Sequence, residues 1–428
     1  MQFIRRLLRA PAFHIVLLTL LLGMVFLRTQ ISPQDDHFHY QKFIETLASG
    51  RLDLSIPGFQ GASFLALPLY LLTHSPLTNI YVQLLCALLL PLAGYAAAQA
   101  LLKDRFQAVL FSYVIALSPY LTFIAFRGFT FPSFTLLILL TLWLRARGSA
   151  WAFLPWAFSV ITKPFSIALF PLFLLWHPSR TNDANRHAQG WWVRFAFWKR
   201  SSRVSWWSKG WVQILFALPI PVLYVALQYA QVGHVIVGSH ANLDQSNVFL
   251  WWRMPLNAAH GLQMMFSVHN YYFPDPGKTG PGNIMHTSPL LVAFGVFALL
   301  YPRENWKDIC LARAIALTAL IAFSLAAALD HMDHFYMETS VLLLTLASLP
   351  FVARHRLLLP LVLALFHLSF FYIWLWGRGT YFMDYSIFFV PFMVDILALL
   401  SWMLLGMPRS MAEWKRILRD LGWLGASA

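Results

Sequence analysis

Apolar residues in this chain do not alternate with polar ones. They run unbroken for 13 to 23 positions between short charged breaks, near Pro11 to Leu27, Ile80 to Leu102, Phe106 to Phe126, Phe129 to Leu144, Ser149 to Ile161 and Pro164 to Trp176. Six further runs lie near Trp211 to Val232, Pro289 to Tyr301, Leu311 to Leu329, Phe335 to Val352, Leu357 to Trp376 and Ile387 to Leu405. In lipid each segment must satisfy its own backbone, so such runs predict transmembrane helices. The alternation of an outer-membrane barrel is missing. The pattern thus predicts an all-α polytopic membrane protein with a bundle of about twelve helices, several shorter than the roughly 20 residues of a straight span.

Composition agrees: of 428 residues 59% are hydrophobic and 11% charged, with a mean hydropathy of +0.61. A soluble domain carries about a quarter charged residues, which excludes a cytosolic globular protein, a fibre and a disordered chain. The net charge of +14 sorts topology and does not argue for nucleic acid. Segment Ser149 to Trp176 reads either as one helix interrupted at Lys163-Pro164 or as a hairpin. Only a hairpin keeps the basic loop 177–210 on the cytoplasmic side. With both termini inside, 23 of the 31 Lys and Arg residues are cytoplasmic and 8 are outside.

The N-terminal Arg5, Arg6 and Arg9 before an apolar run lack a small-residue cleavage site after them, which predicts an uncleaved first span. One membrane domain then carries two long outer loops, 32–79 and 233–288, and an amphipathic cytoplasmic tail over 406–428, with its helical face in Met411 to Trp423. Cys86 and Cys310 fall near opposite faces, so no disulfide is expected. A multi-pass protein of a bacterial inner membrane fits this layout.

Ten of the 17 acidic residues fall outside: Asp35, Asp36, Glu45, Asp53, Asp244, Asp275, Asp330, Asp333, Glu338 and Asp384. Carboxylate chemistry would therefore be on the outer face, and no phosphate-binding loop or dinucleotide fingerprint is present. Asp35-Asp36 precedes His37, His39 and an amphipathic helix predicted over Tyr40 to Leu47. The pair reads as a catalytic base with a positioning acid, or as the cap of that helix. Lys163 in Lys-Pro is costly in lipid unless its charge meets a cavity or the interface, so it either holds a phosphate or snorkels. Arg378, between Gly377 and Gly379, is the second phosphate candidate, or an ordinary arginine of an outer loop.

A further candidate set for substrate or a divalent metal is His37 with Asp330, His331, Asp333, His334 and Tyr336; hydrogen-bonded histidines at a span end account for the same residues. No other cofactor is called for. Asp395 within the last span and the aromatic Tyr271-Tyr272-Phe273 complete the inventory, the latter as a sugar platform or an interfacial belt.

The stretch from Asp35-Asp36-His-Phe-His-Tyr40 through Leu47-Ala-Ser-Gly50 to Pro57-Gly58-Phe-Gln-Gly61 and Pro68-Leu-Tyr70 resembles the first outer loop of GT-C integral-membrane glycosyltransferases. Within that superfamily it is similar to the branch of protein O-mannosyltransferases and lipid A aminoarabinose transferases. Thr162-Lys163-Pro164 and His334-Phe335-Tyr336 are weaker matches. The chain departs at His334, where Arg is expected, and in having Asp-Asp for the commoner Asp-Glu.

The resemblance implies a bundle fold and inverting transfer of a sugar from a polyprenyl-phosphate donor to a hydroxyl of a glycan, lipid or protein on the outer face. It also implies Asp35 as base, Asp36 as positioning acid and cations at the donor phosphate, for which Lys163 and then Arg378 are the candidates among the few outer bases. An O-antigen ligase or polymerase and a twelve-span secondary transporter are the competing readings.

Overall fold

The computed structural model describes residues 10–28, 31, 33, 35–116, 118, 125–176, 209–236, 251–266, 269–271, 279–281, 289–329, 337–354, 412, 413 and 415. Expected spans 357–376 and 387–405 lie outside the described residues, as do Arg378, Asp330, His331, Asp333, His334, Tyr336, most of the basic loop and nearly all of the tail.

The helices are α1 (Pro11–Arg28), α2 (Asp35–Ala48), α3 (Gly61–Thr73), α4 (Thr78–Leu102), α5 (Arg105–Ala116), α6 (Phe131–Ala146), α7 (Phe153–Thr162) and α8 (Phe170–Leu174). They continue with α9 (Gly210–Ala217), α10 (Pro219–Val232), α11 (Met254–Phe266), α12 (Pro289–Leu300), α13 (Pro302–Asn305), α14 (Ile309–Ala327) and α15 (Glu338–Arg354). A two-stranded antiparallel ribbon pairs β1 (His269–Tyr271) with β2 (Thr279–Pro281), Asn270 opposite Gly280. Among the described residues three helices are long and apolar enough to cross a membrane: α4 with 25 residues, the continuous α9–α10 unit with 23 and α14 with 19. Seven shorter apolar helices accompany them among the described residues. The fold is therefore all-helical and polytopic, apart from the ribbon.

Close approach of backbones organises the bundle. On α4, Ala93, Gly94, Ala97 and Ala98 make a stripe that admits α5, where a Cβ on Gly94 would stand 3.0 Å from Ile115 Cδ1. On α12, a Cβ on Gly295 would lie 2.1 Å from the Leu344 carbonyl oxygen of α15. Helices in lipid gain from such packing because water supplies no driving force between them. Cys86 and Cys310 are both free thiols.

Segment 149–176 is a hairpin. Trp156 and Phe173 stack with ring centroids 4.6 Å apart, whereas a straight helix would separate residues 17 positions apart by about 25 Å. Trp156 Nε1 donates to the Ser166 carbonyl at 2.8 Å, and the Ser159 and Ser166 hydroxyls meet at 2.8 Å. The descending arm starts at Pro164 as a 3-10 helix, Pro164–Leu169, because proline removes a backbone donor and favours a first-turn position.

At the open end the buried Arg145 guanidinium donates to the carbonyls of Trp176 at 2.6 Å, Phe173 at 3.0 Å and Leu172 at 3.5 Å. These are carbonyls that the short α8 leaves without partners within the helix. Gln213 Nε2 of α9 donates to the Ser149 carbonyl at 2.9 Å, closing the same end.

Candidate active site

The acidic pair stands within a helix, not ahead of one: α2 begins at Asp35, five residues earlier than the hydrophobic pattern from Tyr40 predicts. Carboxylates in a first turn are favoured by the helix dipole. Asp36, His37, Tyr40, Gln41, Phe43 and Ile44 form the buried face of α2, while Phe38, Lys42 and Glu45 are exposed.

His37 is held through one ring nitrogen. Nε2 lies 3.1 Å from the Pro76 carbonyl and donates to it, and Nδ1 is enclosed without a hydrogen-bond partner. The side chain presses on Gly128, whose φ is +81° and whose absent Cβ would stand 2.6 Å from His37 Cβ and 2.7 to 2.9 Å from the imidazole. Position 128 thus needs glycine twice over, for its left-handed backbone and for the space. Burial pulls the His37 pKa below its usual 6.5, opposed in part by the Pro76 carbonyl and by the charge of Glu45.

A ladder of side-chain amides joins α2 to the turn before α6. Gln41 accepts from the Asn79 backbone N–H at 3.3 Å, Asn79 donates to the Gly128 carbonyl at 2.5 Å, and Gln83 accepts from the Ser133 N–H at 3.1 Å. The last contact satisfies one of the unpaired donors at the start of α6. Thr130 and the Tyr40 hydroxyl meet at 3.5 Å.

The loop between α2 and α3 is pinned by α10. Gln231 accepts from the Leu54 N–H at 2.8 Å, the Tyr224 hydroxyl accepts from the Gln60 N–H at 3.0 Å, and Phe59 stacks on Tyr224 at 5.5 Å. This seats Gly61, the first residue of α3, on the hairpin turn. A Cβ there would stand 2.5 Å from Thr162 Oγ1 and 2.6 Å from both the Ile161 carbonyl carbon and the Thr162 nitrogen. Two stretches a hundred residues apart, the glycine-containing loop and Thr162-Lys163-Pro164, are thereby in backbone contact.

Lys163 is half-buried and extended, with φ −149° and ψ 117°. Its Nζ stands 3.5 Å above the centre of the Phe131 ring, a cation–π contact. Phe131 opens α6 directly after the Gly128–Thr130 turn on which His37 and Tyr40 rest, so the lysine and the acidic start of α2 flank one turn.

Glu338, the first residue of α15, completes the surroundings: it is buried and accepts a short hydrogen bond from the Thr135 hydroxyl. Sequence reasoning counts Glu338 only among the outer acids. Its position inside the apolar run Phe335 to Val352 is the signal that singles it out, since a carboxylate there needs a partner. Arg145 is likewise missed, because a basic residue at a helix end reads as an ordinary cytoplasmic charge. Among the described residues no group of three or more His, Cys, Asp or Glu is placed to hold a metal. An acidic helix start and a held ammonium, joined through one turn, are groups that can take a proton from a hydroxyl and accommodate an anion.

No family model matches the chain, and no curated protein matches it in sequence. Its fold is similar to the crystal structure of ArnT from Cupriavidus metallidurans bound to undecaprenyl phosphate, with a TM-score of 0.50 and 14% identity over 92% of this chain and 77% of that one. Two structures from Archaeoglobus fulgidus are more distant. An oligosaccharyltransferase tethered to an acceptor peptide gives a TM-score of 0.46 at 12% identity, over 91% of this chain and 55% of that one. The oligosaccharyltransferase AglB with an inhibitory peptide and a dolichol-phosphate gives 0.45 at 11%, over 96% and 58%.

Proposed function

We propose that the chain is a GT-C-type membrane glycosyltransferase that moves a sugar, with inversion, from a polyprenyl-phosphate donor to a hydroxyl on the extracytoplasmic face. The observation that carries this reading is the seating of the Lys163 turn on Gly61 and Phe131, which brings the cation and the acidic loop into one unit. The fold shared with a protein crystallised on undecaprenyl phosphate supports the choice of donor.

A lipid phosphate is already a good leaving group, so the protein has two tasks: to deprotonate the acceptor and to stabilise the departing charge. Asp35 takes the proton from the acceptor hydroxyl, whose oxygen attacks the anomeric carbon on the face opposite the phosphate. The bond from that carbon to the phosphate oxygen breaks, and its electron pair leaves on the phosphate, held by Lys163 and by Arg378. Asp36, nine-tenths buried beside Asp35, orients the acceptor.

The test is release of polyprenyl phosphate by purified protein in nanodiscs, with a panel of polyprenyl-phosphate sugars and a cell-envelope extract as acceptor. Wild type turns over and a folded Asp35→Asn variant does not. Full activity of that variant removes Asp35 from the mechanism, and failure of folded wild type with every donor turns the reading towards a ligase or transporter.

A further inference from the structure

α10 meets the rest of the protein along one line of side chains. Tyr224 and Gln228 are its buried residues, and Gln231 continues the line at the spacing i, i+4, i+7. On its other sides Val222, Leu223 and Tyr229 are exposed.

The polar atoms of that line are directed at main chain. Gln231 Nε2 donates to the Leu52 carbonyl at 3.0 Å while its Oε1 accepts from the Leu54 N–H at 2.8 Å. One side-chain amide thus grips the loop as a peptide group of a neighbouring parallel strand would. One turn earlier, Gln228 Oε1 accepts from the Ile236 N–H at 3.1 Å, and its Nε2 reaches the Leu54 carbonyl at 3.5 Å. Gln228, Leu54 and Ile236 are all buried, so water cannot take the place of a lost partner and the bonds do not part freely.

The two glutamines face different loops. Leu52 and Leu54 belong to the loop that seats Gly61 on the Lys163 turn, whereas Ile236 stands at the entry of the second outer loop. Leu54, Phe59 and Tyr224 also share an apolar cluster with Ile161, two residues before Lys163. Residues three apart on a helix keep a fixed separation, so α10 passes a displacement of Ile236 on to Leu54.

We propose that Gln228 and Gln231 are positioning residues that make α10 the joint between the two outer loops. The placement of the second loop is then felt at the seat of Gly61, and through it at the alignment of Lys163 with the acidic start of α2. The kinetic consequence rests on the lipid-phosphate reading and deepens it.

Gln228→Met and Gln231→Met keep the length of each side chain and remove its bonds. Gln231→Met changes an exposed position and carries the test if Gln228→Met does not fold. Hydrogen exchange of the protein in nanodiscs, read by mass spectrometry, reports the joint: either variant speeds exchange about fivefold or more both at the Leu54 amide and at the Ile236 amide. Turnover with the panel of polyprenyl-phosphate sugars reports the consequence: kcat falls about tenfold while donor KM stays within about twofold. Lys163 still meets the phosphate, but its alignment with the acids, needed in the transition state, is lost.

A rise in exchange confined to Leu54 in Gln231→Met, or to Ile236 in Gln228→Met, refutes the joint. A lowered melting temperature with unchanged kcat refutes the positioning role, as does a raised donor KM with unchanged kcat. If folded wild type turns over no donor, the lipid-phosphate reading fails, and the exchange measurement decides the joint by itself.

Discussion

Replacing Gly61 by alanine asks whether the first loop and the hairpin turn act as one body. The new Cβ would stand 2.5 to 2.6 Å from Thr162 and Ile161, where ordinary contact begins at 3.4 Å. Two of the three atoms met are main chain, so no rotamer change relieves the clash, and α3 must part from the turn by about 0.8 Å. Overpacking of this kind costs about 1–3 kcal/mol. The return from replacing glycine in a helix is at most about 1 kcal/mol and smaller at a first residue.

Net destabilisation is therefore about 1–2 kcal/mol. The displacement falls on the residue preceding Lys163, and misplacing a catalytic group by about 1 Å can cost about a hundredfold in rate. Thermal unfolding in detergent, followed by tryptophan fluorescence, reads the first effect, and polyprenyl-phosphate release reads the second. Gly94→Ala is the control: its Cβ meets side chain alone, the far end of Ile115 at 3.0 Å and Phe111 Cδ1 at an ordinary 3.7 Å, so it stays within about 0.5 kcal/mol of wild type. A Gly61→Ala protein that melts and turns over like wild type would refute the argument.

Two further outcomes follow from buried groups outside the proposed chemistry. The His37 imidazole is held below 6.5 by burial, so the unfolded chain binds its proton first. Its contribution to stability is complete above about pH 6.5 and is lost as pH falls from there through the depressed folded value. Melting temperature recorded from pH 7.5 to 5.5 should fall less in His37→Gln, which keeps a donor for Pro76 but does not titrate; equal slopes count against this. Arg145→Lys should lower stability by about 1.5–3 kcal/mol, since one ammonium cannot reach the carbonyls of Leu172, Phe173 and Trp176 together, and an unchanged melting temperature contradicts the cap.

Much of the layout is legible in the chain because the physics that sets it is local. Unbroken apolar runs locate α1, α4, the α9–α10 unit and α14 to within a few residues. Charge placement separates a hairpin from a single span at Lys163-Pro164, since seven basic residues follow it. The first loop is legible through its acids, glycines and prolines.

What is not legible depends on distant pairs. Nothing near position 338 says that its carboxylate will meet the Thr135 hydroxyl, some 200 residues earlier. Nothing near Gly61 announces Thr162. The early start of α2 escapes the hydrophobic pattern because Asp35 and Asp36 carry no apolar signal, although Asp36 and His37 are buried. Several arms are also too short for the length rule: α7 has ten residues and α8 five.

That shortness has a mechanical meaning for the bilayer. The two arms, counting their 3-10 turns, rise only about 20 Å, whereas the hydrocarbon layer is about 30 Å thick. With the open end at one boundary, where Arg147 and Lys209 stand, the turn ends about 10 Å short of the other. A lipid in the surrounding leaflet would have to sink its headgroup by that distance, or the leaflet would have to thin, at a cost of a fraction of a kcal/mol for each ångström. On the proposed reading the donor lipid is not lifted out of the membrane but lowers its headgroup into a depression, which would make the thickness of the host membrane a variable of the kinetics.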